Sequence, residues 1–363
     1  MSFESLKEDL EEFDPISGLE GYVSNRESET ARIKQAREGA IPQGLKTGYN
    51  LLDMNFRYKQ GNLVIMNGHD NVGKSFIVWY LMTIASKKYG WRWIMFCDEN
   101  VSPDIRTQIV EFICGKLAKF IDEETFNKWL DWAYEHFVII ELAEDKEDVK
   151  TYDLIAGIAQ KIIDESDKPF NGVLFDPYNA LEVDMSKMDR RLSTHDYHYS
   201  CSNKMRRFKK KNNVTVWVNM HAVSEALRKT DKDGYPLPPG KADTEGGGKF
   251  ANKADEFITW HRYVQDSTRA LTTEMHVRKV KDTKTGGKAT DLNNPRLLKW
   301  ECHNKFHGFY DENGFCALAP TLTERISPEK FPTPGNPEGF DLKTGEVDLN
   351  QLMDQHEQDQ APF

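Results

Sequence analysis

Residues 68 to 75 read GHDNVGKS, preceded by the apolar run LVIM and followed by IVWYLMTIA. This is the pattern G-x-x-x-x-G-K-[ST], and no other stretch restricts the fold as much. A strand must carry the chain into a glycine turn, and the turn must open a helix. The loop N–H groups and the helix N-terminus then point at one place, where the β- and γ-phosphate oxygens of a nucleoside triphosphate can sit. The nucleotide-binding candidates are Gly68, Asn71, Val72, Gly73, Lys74, Ser75 and Phe76. Lys74 supplies a point charge and the Ser75 hydroxyl a ligand for Mg2+. A glycine turn without a ligand is the bland reading, and the strand before and helix after the motif argue against it.

From TGYNLLD at residue 47 to about residue 320, apolar strand runs alternate with helical stretches, the mark of an α/β fold with a mainly parallel sheet. The expected strands are 62–67, 92–97, 137–141, 172–176, 214–219, 256–260, 272–281 and 297–302. Residues 1–45 read as an arm or linker helix around SETARIKQAREGA, 46–320 as one ATPase domain, and 321–363 as a proline-, glycine- and acid-rich disordered tail. No run approaches eighteen apolar residues, and the start MSFESLKEDLEEFD is acidic where a signal peptide is basic and apolar. A cytoplasmic protein without membrane contact is expected. The five cysteines show neither C-x-x-C nor Cys/His ligand spacing, which excludes a recognisable zinc ribbon.

Three strand tips carry polar groups. WRWIMFC ends at Asp98 and Glu99, next to the phosphate loop, where a carboxylate can either orient an attacking water or cap a helix. GVLFDPYNAL ends its apolar strand at Asp176, in the Walker B form, and an ionised carboxylate there can hold Mg2+. VTVWVNMHAV ends near Asn219 and His221, where a polar group can touch the γ-phosphate or simply be solvated.

Taken in order, these motifs resemble the ring helicases of the DnaB and RecA group, especially the helicase half of phage primase-helicases and the mitochondrial Twinkle helicase. The matching segments are TGYNLLD, QGNLVIMNGHDNVGKS, IMFCDEN, GVLFDPYNAL, VWVNMHAVSEALR and GKADTEGGGKFANKADEFITWHR, across roughly residues 30 to 310. The resemblance implies a RecA-like P-loop ATPase core, ATP or another NTP with Mg2+, six subunits in a ring, and single-stranded DNA through its centre. It implies Glu99 as the catalytic glutamate, Asp176 as the metal carboxylate and His221 as the γ-phosphate sensor. Where the family has an arginine finger acting on the neighbouring subunit, HVRKVKDTKTGG aligns Lys279 and Lys281, with Arg278 out of phase. Period-two alternation puts the two lysines on one strand face. Recombinases of the RecA type use lysines similarly, so a strand-exchange recombinase stays open beside the helicase, as does a switch ATPase that binds protein.

The net charge of -10 is unevenly spread, with basic stretches after the second and third strand tips. Lys187, Arg190, Arg228, Lys229 and Lys249 are the DNA-contact candidates, while KMRRFKKKNN reads as the solvated face of a helix. The acidic tail ending in Phe363 resembles tails by which phage replication proteins reach their polymerase; a polymerase or primase contact and a plain solubilising tail both fit.

Overall fold

The computed structural model describes residues 26–142, 149–183, 193–302, 307–318, 340–341 and 346–347. The chain divides into two compact units, residues 1–44 and 45–363. Helix α1 (Arg26–Arg37) is the described element of the first. The second is built on a nine-stranded sheet in the order β3-β2-β4-β5-β1-β6-β7-β8-β9. Its strands are β1 Leu63–Gly68, β2 Trp93–Cys97, β3 Phe137–Ile140, β4 Gly172–Asp176, β5 Thr215–His221, β6 Glu256–His261, β7 Thr272–Val280, β8 Arg296–Cys302 and β9 His307–Tyr310. The first six in that spatial order are parallel; β7, β8 and β9 continue the sheet antiparallel.

The parallel strands are mostly apolar along their length because both faces are covered, with polar residues mainly at their ends. Successive residues point to opposite sides: Val64, Met66, Trp93, Met95 and Trp217 join one core with helices α2 (Lys74–Tyr89), α3 (Ser102–Cys114) and α4 (Glu123–His136). Leu63, Ile65, Ile94, Phe96, Val216 and Val218 join the other with α5 (Tyr152–Asp164), α6 (Thr194–Asn212) and α7 (Gly247–Lys253). Met275, Val277, Leu298 and Phe309 of the antiparallel strands bury themselves only in the first core. Helix α2 is buried around nearly its whole circumference over Ile77–Ser86, so it is the central helix of its layer. A capping box between Ser193 and Asp196 starts α6, a device worth about 1 kcal/mol. Among the described residues no helix is long and apolar enough to cross a membrane.

Candidate nucleotide site

The phosphate loop leaves β1 at Gly68, where a Cβ would lie 2.5 Å from the Trp260 carbonyl oxygen of β6, so only glycine lets the two strands stay adjacent here. Asn71 and Gly73 take positive φ values of 60° and 80°, which turns the loop into the start of α2. Lys74, buried, donates from Nζ to the carbonyls of Gly68 (3.1 Å) and His69 (2.7 Å). Burial pulls its pKa down, and the charges of Asp176, Asp70 and Glu99 oppose that shift. An ammonium has three donors, so one remains for an acceptor in the loop's concavity.

Beside it, Asp176 is 2% exposed. Its Oδ1 accepts from Ser75 Oγ (3.1 Å) and Asn219 Nδ2 (2.9 Å), while Oδ2 is buried without a hydrogen-bond partner. Burial raises its pKa, against the hydrogen bonds of Asn219 and Ser75 and the charge of Lys74. Asn219 Oδ1 and Asn67 Oδ1 are likewise buried and unpartnered at the same sheet edge. A buried oxygen with no donor is costly unless something fills the position. Hard oxygen ligands from one carboxylate and one hydroxyl suit Mg2+, which takes few protein ligands and completes its shell with water and phosphate. The residues present therefore fit a Mg2+–triphosphate.

The strand order changes one expectation. β2 is not next to the phosphate-loop strand: β4 and β5 lie between them, because the crossovers insert them. Glu99 instead reaches past β4 to the tip of β5, where its Oε1 lies 3.6 Å from His221 Nε2. Asp98 turns away into an ion pair with Lys150 (2.8 Å). His221 bonds through Nδ1 to Asp70 of the phosphate loop, and its backbone N–H donates to Asn179 Oδ1 (2.9 Å). Asp70, Arg262 and Trp300 are absent from the sequence-derived site.

On the other side of the loop, Asn71, Gly73, Phe76, Arg262, Thr273, Trp300 and Phe309 line a cavity of about 330 Å³. Arg262 Nη2 donates to the Asn71 carbonyl (2.9 Å), and Phe76 meets Trp300 edge to face at 5.9 Å. Three aromatic rings, those of Phe76, Trp300 and Phe309, and a guanidinium next to a phosphate loop are groups on which a planar base can stack. Phe76 was legible from its place in the motif. Arg262 and Trp300 sit far along the chain and carry no motif of their own.

Lys279 and Lys281 lie at the start of β6, since Lys279 pairs with Phe257 and the Lys281 N–H donates to Asp255 O. Glu256 is level with Val64, four residues or about 13 Å short of Gly68 along the strand. Lys279 Nζ donates to Asn252 O (2.7 Å), and Lys281 Nζ is 3.5 Å from Asp255 Oδ1. A register shift between Phe257 and Ile258 leaves Arg278 as the extra residue, so simple alternation does not run through this strand.

Of the DNA-contact candidates, Lys187 and Arg190 lie outside the described residues, and Lys249 lies in α7 with its side chain outside them. Arg228 is exposed, and Lys229 is ion-paired with Asp243 in the same loop. The basic end of α6 is more than a solvated face. Lys209 Nζ lies 2.7 Å from Asp255, Arg206 lies 3.6 Å from it, and Lys204 pairs with Asp153 (2.6 Å). The acidic tail from residue 348 is outside the described residues, as is most of the proline-rich stretch before it.

A mainly parallel sheet, a phosphate loop, a buried aspartate at the tip of β4 and a polar third strand tip together have the form of a RecA-type P-loop core. No protein-family model matches the chain. A curated relative, the Twinkle homolog protein, chloroplastic/mitochondrial, of Arabidopsis thaliana, is 24% identical over 298 residues, covering 79% of this chain. The chain spans about two fifths of that relative's length (39%). Among solved structures, an ATPase domain matches with a TM-score of 0.58 at 15% identity, over 77% of this chain and 96% of that one. A DnaB-like replicative helicase, studied with its interactions with primase, matches with a TM-score of 0.57 at 16% identity, over 78% of this chain and 66% of that one. The fold is that of the DnaB/RecA-like ATPase domains.

Proposed function

We propose that the chain is a replicative DNA helicase: an ATPase in which Mg-ATP hydrolysis drives movement along single-stranded DNA in a hexameric ring and so unwinds the duplex. The observation that carries the ATPase is the buried, half-partnered Asp176 carboxylate between Ser75 and Asn219, beside Lys74. Similarity to Twinkle and to a DnaB-like helicase supports the extension to DNA. The loop amides and Lys74 hold the triphosphate, Ser75 and Asp176 hold Mg2+, and Glu99 orients the water. When bound, the ion neutralises charge on the β- and γ-oxygens. The cavity of Phe76, Arg262 and Trp300 takes the base. His221 senses the γ-phosphate. Lys279 and Lys281, too far along the strand for their own phosphate loop, act on the neighbouring subunit's nucleotide. Arg228 with Lys187, Arg190, Lys229 and Lys249 contacts DNA phosphates, and the acidic tail engages a polymerase or primase. Its site of action is the cytoplasm.

Lysines in place of an arginine finger favour one second reading, a strand-exchange recombinase. The steady-state ATPase rate with and without single-stranded DNA, at low and moderate salt, tests the assignment. Strong stimulation that weakens as salt rises is expected, because phosphate contacts release counterions. Unwinding of a forked duplex by a closed ring then separates helicase from a filament-forming recombinase. ATP turnover indifferent to DNA at every salt overturns both.

A further inference from the structure

We propose that Asp70, inside the phosphate loop, is a positioning residue that fixes the His221 imidazole as its Nδ1–H tautomer, so that His221 Nε2 and Glu99 together hold the water attacking the γ-phosphate. The inference rests on the ATPase reading above and deepens it.

An acidic side chain in a loop built for a polyanion works against binding unless its charge is engaged. Its neighbours point elsewhere: His69 Nε2 is 3.0 Å from the Leu237 carbonyl, and the Asn71 carbonyl is taken by Arg262. Asp70 points to the third strand tip, where its Oδ1 bonds His221 Nδ1. The tip itself is clamped on both sides. The His221 N–H donates to Asn179 Oδ1 (2.9 Å), and the Ala222 N–H donates to the Gly68 carbonyl (3.1 Å).

An ionised carboxylate only accepts, so when the ring is neutral its hydrogen sits on Nδ1 and Nε2 carries a lone pair. That lone pair lies 3.6 Å from Glu99 Oε1, with the Glu99 side chain 57% and the His221 side chain 25% exposed. Two acceptors this close are bridged by a shared donor, and a water molecule beside the pair has two O–H groups, one for each. Its oxygen is then aimed by both, and His221 reads the γ-phosphate through this water. In the step, that oxygen bonds to the γ-phosphorus while the bond from γ-phosphorus to the β–γ bridging oxygen breaks. The electron pair leaves with the nucleoside diphosphate, and the water's proton passes to Glu99. Glu245 also turns its charge toward His221, and Lys74 offsets the charges of Asp70 and Glu99.

The test uses the full chain, with ¹⁵N-histidine spectra assigned by His221→Gln and steady-state kinetics alongside nucleotide binding. Asp70→Asn keeps the shape, but its amide can donate to Nδ1 and send the hydrogen to Nε2. The wild type should show Nδ1–H and Asp70→Asn should show Nε2–H. In that variant kcat should fall about tenfold to a hundredfold, as when an orienting partner is lost, with nucleotide affinity unchanged. Asp70→Ala, which offers neither acceptor nor amide, should show both tautomers and an intermediate kcat. The same tautomer in wild type and Asp70→Asn, or an unchanged kcat, overturns the proposal. A wild type that binds Mg-ATP but never hydrolyses it sinks the ATPase reading and this inference with it, and is told apart because the parent chain itself is then inactive.

Discussion

The two ends of the central sheet solve opposite problems. At the carboxyl-terminal tips of β1, β4 and β5, buried oxygens of Asn67, Asp176 and Asn219 are left without partners. At the other end, the buried Asp255 is gripped from all sides: it accepts from the Leu63 N–H (3.0 Å), takes Lys209 at 2.7 Å, and lies within 3.6 Å of Arg206 and 3.5 Å of Lys281. Its pKa is lowered on balance, although burial, the largest influence, raises it against the hydrogen bonds and charges of its partners. Asp176 is raised. Two aspartates of one sheet thus differ in what they serve: one closes the fold, the other is held ready for a ligand at the fold's expense.

The sharpest way to break this contrast is Asp176→Asn. It should cost about a hundredfold to a thousandfold in Mg-dependent ATP turnover while leaving the melting temperature of the ligand-free chain no lower. A large drop in that temperature would show Asp176 to be a structural residue after all. Glu99→Gln should reduce turnover by at least about a hundredfold with ATP binding nearly intact; surviving turnover means another group activates the water. Asp255→Asn should do the reverse of Asp176→Asn, lowering stability by about 3 kcal/mol in denaturant titrations without weakening nucleotide binding.

A gentler probe of the closed end is Glu256, fully buried beside Asn62 and pushed up to about 8, chiefly by burial. Between the usual carboxylate range and about 8, the folded chain holds a proton that the unfolded chain has released. Its contribution to stability is therefore complete at low pH and lost as pH rises toward 8. Glu256→Gln should flatten that decline in melting curves taken across the window; an unchanged slope would mean that the carboxyl is ionised when folded. The smallest effect expected is on the base: Trp300→Ala should weaken nucleotide affinity by about tenfold, the worth of a stacked ring, with kcat little changed.

Much of the core was legible because parallel strands covered on both faces are continuous apolar runs, and each functional tip ends one of them. The expected strands fall within two residues of the observed ends. β9, only four residues long and beginning with histidine and glycine, gave no such run. Strand order was not legible: nothing local says that β4 and β5 separate β2 from β1, so Glu99 looked adjacent to the phosphate loop when it reaches it over His221. The Asp70–His221 bond joins residues 151 apart, and Trp300 reads as one more aromatic on a strand. The bulge at Arg278, visible only in the pairing with β6, falls before both lysines, so Lys279 and Lys281 keep their shared alternation while the rest of β7 is shifted against them.

The cavity beside the phosphate loop also has an optical consequence. Of the eight tryptophans, Trp79, Trp91, Trp93, Trp217 and Trp260 are buried in the core, and Trp129 and Trp132 pack against it. Trp300 alone among the tryptophans lines that cavity. A base stacking there changes the emission of one indole against a background of seven that do not line the cavity, so the chain carries its own fluorescent gauge of occupancy, with Trp300→Phe as the blank.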